Sequence, residues 1–152
     1  MTANNSAPAF ALIMLLTGIG IPVLAALNGG LGTRLGSPMA ASMILFGLAF
    51  LIATAGALLT GSVGQVRFTS DIPAQFYFGG LFVAFYVIAV TFIAPKFGVG
   101  NAIFFVLVGQ LVSAATIDHF GLFGALRSAI DMKRIAGIAL MIAGVWLARR
   151  TA

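Results

Sequence analysis

Read by its apolar and polar positions, the chain breaks into five long apolar segments separated by short polar or glycine-rich stretches. The segments are continuous and do not alternate with period two, so they do not resemble the strands of a membrane barrel. Each comes close to the roughly 20 apolar residues that a helix needs to cross a hydrocarbon core. A first helix is expected over 8–27, with Ser6 as cap and Pro8 in its opening turn. Pro22 lies inside it and should kink it or free a carbonyl. The stretch NGGLGTRLGSP that follows is open to two readings: a glycine-rich turn after Leu27, or a helix that continues through Arg34. A second helix is expected over 38–60, with Ser37 as cap and Pro38 at its first position. Its Ala49, Ala53 and Ala57 lie at the spacing that lets helices approach closely. The third, over 73–94, starts at Pro73 and is stopped by Pro95. The fourth covers 99–119, and the fifth covers 132–148 with Asp131 as cap and a small-residue seam at Ala136–Gly137 and Ala143–Gly144. Trp146 and Arg149–Arg150 would anchor its end at the interface. The expected fold is an all-α membrane protein, a single five-helix transmembrane domain over 1–152.

Composition strengthens this reading. The chain is 61% hydrophobic and 7% charged, where a soluble domain carries about 25% charged residues. The net charge of +5 is spread over many loops and forms no nucleic-acid patch. There is no cysteine, hence no disulfide and no thiolate metal site. No Lys or Arg precedes Arg34, so the first apolar segment lacks the basic flank of a secretory signal and is expected to be retained. With one His, no Cys and no HExxH, GxSxG or phosphate-loop motif, the inventory points away from an enzyme, and no metal or other cofactor is expected.

Five spans put the termini on opposite sides of the bilayer. Arg67, Arg127, Lys133 and Arg134 then share one side, and Arg34, Lys96, Arg149 and Arg150 share the other. Four against four gives the positive-inside rule almost nothing to act on. Such a protein can insert both ways and pair head to tail, so that two copies make an inverted repeat with a site near the midplane. The competing reading is a single orientation fixed by hydrophobicity alone.

Three stretches, AALNGGLGTRLGSPMAAS, GGLFVAFYVIAVTFIAPKFGVGNAIFFVLVGQLVSAATIDHFGLFG and RIAGIALMIAGVWLARR, together resemble the YdcZ-like family. This is a half-size, five-helix branch of the drug/metabolite transporter superfamily. The resemblance implies a multi-pass protein of the bacterial cytoplasmic (inner) membrane, a homodimer, and an exporter-like role with a small organic solute as partner. It names no substrate. A glutamine is common in the family four residues before Asn28, a position occupied here by Leu24.

Polar groups inside apolar spans are costly to keep and mark candidate function. Gln110 falls near the middle of the fourth helix, with Ser113 and Thr116 close to it on the helix surface. Its carboxamide suits either a polar solute or the gluing of one helix to another, and in a twofold dimer it can meet its own copy. Asp118 and His119 lie about 12 Å further along, near the interface. They are either a proton-coupling pair or an interfacial ion pair with Arg127, Lys133 or a lipid headgroup. Asn28 is a cap if the first helix ends there and a cavity-lining residue if it continues. Tyr77 and Tyr86 lie on similar faces of a continuous third helix, and Phe78, Phe82, Phe85 and Phe92 form a stripe that suits an organic cation or lipid. The expected function is transport of a small solute by alternating access in a dimer. The alternatives are a passive channel of dual topology and a non-transporting accessory subunit.

Overall fold

A computed structural model describes residues 7–66 and 71–148. The chain divides into two compact units, Met1–Lys96 and Phe97–Ala152. The described residues form no strand, and they contain five α-helices: α1 (Ala7–Leu35), α2 (Pro38–Leu59), α3 (Gly79–Phe97), α4 (Val99–Phe120) and α5 (Met132–Ala148). Ser6, Arg149 and Arg150 lie outside the described residues. Four apolar helical segments are long enough to cross a membrane, the third being the continuous stretch Ala74–Phe97. At 17 residues, α5 spans about 26 Å and sits at the lower limit for a bilayer crossing.

The largest departure from expectation is in α1. It runs through Asn28–Gly29–Gly30 and ends only at Leu35, so the boundary at Leu27 is corrected. Gly36, at φ 64°, supplies the left-handed turn that stops it. Gly36 N–H donates to Thr33 C=O at 3.3 Å and Ser37 N–H donates to Gly32 C=O at 3.0 Å, the paired bonds of a Schellman end. Ser37 then caps α2 by accepting from Ala40 N–H at 3.2 Å. One residue thus closes α1 and opens α2. Tertiary contact explains why the glycines upstream do not break α1. A β-carbon on Gly29 would lie 3.1 Å from the Pro95 ring, and one on Gly32 would lie 3.1 Å from Pro38 Cα. The glycines are where neighbouring helices touch.

The third apolar segment also differs from expectation. Pro73 precedes a 3-10 turn, Ala74–Phe78, and the α-helix begins only at Gly79. At the other end Pro95 does not stop α3, which continues to Phe97. In a last turn proline removes only one backbone donor, and it is Gly98, at φ 88°, that ends the run.

The first unit packs through small residues. The buried positions are Ala25, Asn28, Gly29 and Gly32 on α1, Ala41 and Ser42 on α2, and Val87, Val90, Thr91 and Ala94 on α3. On α1 and α3 these repeat at three to four residues, one face of a helix. Ala49 and Ala53 are exposed and Ala57 is half-buried, so the alanine stripe of α2 is not a contact within this chain. In the second unit α4 buries Ala102 and Ala115, and α5 buries no residue. Such open faces suit lipid, which is as apolar as the side chains it meets.

Candidate functional site

The buried polar groups of the first unit centre on Asn28 and Thr91. Asn28 is 5% exposed and Thr91 1% exposed. Thr91 donates its hydroxyl proton to Val87 C=O at 2.6 Å and accepts from Asn28 Nδ2 at 2.5 Å. A buried polar group without a partner is expensive in hydrocarbon, and this relay pairs the hydroxyl while tying α1 to α3. Pro95, four residues after Thr91, has no N–H to give the Thr91 carbonyl, and Gly29 packs beside that carbonyl. Of the two readings open for Asn28, cap or cavity-lining residue, the structure removes the first: it is an interior residue of α1. Thr91 escaped notice because threonine is common in apolar helices. Its signal was the proline four residues on.

Gln110 and Ser113 are arranged differently. Both are exposed on α4, and neither has a hydrogen-bond partner among the described residues. Thr116, also exposed, returns its hydroxyl to Val112 C=O at 2.9 Å. With α4 running Val99–Phe120, Gln110 sits within one residue of the helix midpoint. An unpaired carboxamide there faces the part of a bilayer where it is least solvated.

Tyr77 and Tyr86 do not share the helical face expected of them: nine residues at about 100° each bring a helix round to roughly its opposite side, and Tyr77 lies in the 3-10 turn while Tyr86 lies in α3. Tyr77 is 55% exposed, while the Tyr86 hydroxyl is sealed and has no partner among the described residues. Phe78, Phe82, Phe85 and Phe92 are all more than half exposed, and of the four Phe92 borders a cavity beside Thr91 and Pro95. Lys96 Nζ sits 3.4 Å from the centre of the Phe92 ring, a cation–π contact at the helix end.

Asp118 and His119 belong to a latch in the second unit. Arg134 Nη2 lies 2.6 Å from Asp118 Oδ2, so the ion-pair partner is Arg134 and not the expected Arg127 or Lys133. Asp131 fixes that arginine by capping α5, its Oδ1 accepting from Arg134 N–H at 2.7 Å. Ser128 N–H donates to Asp118 C=O at 2.8 Å and Arg127 Nε donates to His119 C=O at 3.3 Å. Gly121, at φ 63°, returns its N–H to Ile117 C=O. Three carbonyls that a helix end leaves open are thereby satisfied. His119 Nδ1 accepts from Ile130 N–H at 3.0 Å, tying the end of α4 to the segment before α5. Among the described residues no three His, Cys, Asp or Glu side chains gather as a metal site would require.

Among the described residues, five α-helices, four of them with membrane-length apolar segments, define a multi-pass helical membrane protein. Residues 9–147 match the family described as "Putative inner membrane exporter, YdcZ", and the chain belongs to that family. It is a multi-pass inner-membrane protein of a transport family. Neither the comparison with curated proteins nor that with solved structures returned a match.

Proposed function

We propose that the chain exports a small organic solute by alternating access as an antiparallel homodimer, with the solute's path between protomers lined by Gln110 and Ser113. The observation that carries this is the unpaired carboxamide at the midpoint of α4. When two copies are related by a twofold axis in the membrane plane, only a residue at mid-helix meets its own copy. A carboxamide both donates and accepts, so two facing Gln110 side chains satisfy each other. Gly109 and Ser113, four residues apart, are small enough for the helices to approach. The even split of basic residues, four per side for five spans, allows both orientations to insert. A polar pair on such an axis lies where inverted repeats hold their substrates.

Asn28 is engaged in its own unit and is taken up below, and Asp118 and His119 act as the latch rather than as a coupling pair. Gln110→Ala should abolish export from cells or vesicles while the folded protein is recovered in normal yield. Unchanged flux with Gln110→Ala would remove the residue from the path.

A further inference from the structure

The groove between α1 and α2 has a composition unlike the rest of the first unit. It encloses about 300 Å³ and is walled by Leu24, Leu27, Leu31, Ile44 and Leu48, with Asn28 as the one polar side chain among the described residues that line it. That volume lies at the small end of ligand pockets, roughly 300–1,000 Å³. The orientation of the Asn28 carboxamide follows from counting protons. Thr91 has one hydroxyl proton and gives it to Val87 C=O, so its oxygen can only accept. The amide NH2 must face Thr91, and it does. The carboxamide oxygen is left over. It has no partner among the described residues, and unlike the Tyr86 hydroxyl it is not sealed. A side chain that is 95% buried, by its 5% exposure, thus holds one free acceptor, locked in direction by Thr91, at an apolar groove.

We infer that this groove is a binding site for an uncharged amphipathic solute, one with a compact apolar or aromatic body and a single O–H or N–H donor. The donor meets the Asn28 oxygen, and the body replaces lipid against the leucine walls. Charge argues for the neutral form. None of Asp71, Asp118 and Asp131, the acids of the chain, lines the groove, so a full cation would be buried there without a counter-charge. A quaternary ammonium has no donor to offer at all. An anion would face an acceptor. The site rests on the transport reading only for treating the bound solute as cargo; equilibrium binding is a property of the groove itself.

Three matched probes test it: 1-naphthol, 1-methoxynaphthalene, which has no donor, and N,N,N-trimethyl-1-naphthylammonium, which is charged. The full chain is reconstituted in phosphatidylcholine nanodiscs, whose headgroup lacks an O–H or N–H donor, and binding is measured by equilibrium dialysis against protein-free nanodiscs. One hydrogen bond should make 1-naphthol bind roughly five- to tenfold tighter than its methyl ether, with the ammonium weakest. Asn28→Leu should erase that preference. Leu48→Trp, which fills the groove without touching the polar relay, should abolish binding of both neutral probes in a protein of unchanged melting temperature. Equal affinity for naphthol and methoxynaphthalene, tightest binding of the ammonium, or full binding by Leu48→Trp would each overturn the assignment. So would loss of naphthol binding when phosphatidylglycerol replaces part of the lipid, because its glycerol hydroxyls would then be the occupant. Flux of the same probes is read separately, and binding without flux would contradict the transport reading while leaving the site intact.

Discussion

At the scale of single residues, polar groups in this chain fall into those that are spent within it and those that are not. Thr91 is spent twice, as donor to Val87 and as acceptor from Asn28. Thr91→Val keeps the shape and removes both bonds, leaving a buried carboxamide unpaired. A loss of about 0.6 kcal/mol, the average for hydrogen bonds between membrane helices, and at most about 1.7 kcal/mol is expected, read by reversible unfolding in mixed micelles. The Asp118–Arg134 pair has side chains 37% and 30% exposed, so solvent screens it and its coupling in a double-mutant cycle should be no more than about 1 kcal/mol. Because Arg134 and the loop after α4 engage Asp118, we expect Asp118→Asn to leave the pH profile of export unchanged. A displaced profile would return the carboxylate to a coupling role. Asp118 and His119 stand out in the sequence as a carboxylate beside the single histidine. Their partners are not legible there, because Arg134 lies 16 residues beyond Asp118 and meets it from the start of α5, which Asp131 caps.

At the scale of elements, helix existence was far more legible than helix ends. Apolar length alone located the apolar segments, and the caps at Ser37 and Asp131 followed from local chemistry. What misled was punctuation. Gly29–Gly30 resembles a helix stop, and Pro95 resembles one too, yet Gly29 and Pro95 sit where α1 and α3 press against each other. Glycine signals a turn when the backbone needs positive φ, as at Gly36, and signals contact when it does not. The distinction predicts opposite outcomes for one substitution. Gly32→Ala would press a methyl against Pro38 Cα and the Thr91 methyl at 3.1 and 3.2 Å, and backbone cannot yield, so a loss of about 1–3 kcal/mol is expected. Gly18→Ala, with nothing within 4 Å, should leave stability unchanged or raise it slightly. Thermal melts of the two variants check this, and equal behaviour would refute the packing account of α1.

At the scale of the whole molecule, the chain leaves most of its apolar surface uncovered, with 6–17% of each membrane-length window buried. Lipid can cover that surface, but it cannot satisfy the Gln110 carboxamide. The site we propose at Gln110 was therefore only half legible. The sequence supplied the residue and its depth, whereas the direction it faces required the fold of α4. The absence of native cysteine makes the central claim directly measurable with single-cysteine variants in native membranes. In an antiparallel pair Gln110→Cys meets its own copy, whereas two copies of Ser113→Cys stand about 10 Å apart along the axis, beyond the roughly 7 Å that a disulfide spans. Ser113 instead meets Val106 of the other copy. The account predicts that mild oxidation cross-links Gln110→Cys with itself and Ser113→Cys with Val106→Cys, but not Ser113→Cys with itself. Self-cross-linking of Ser113→Cys, or a Gln110→Cys protein that stays monomeric, would contradict it.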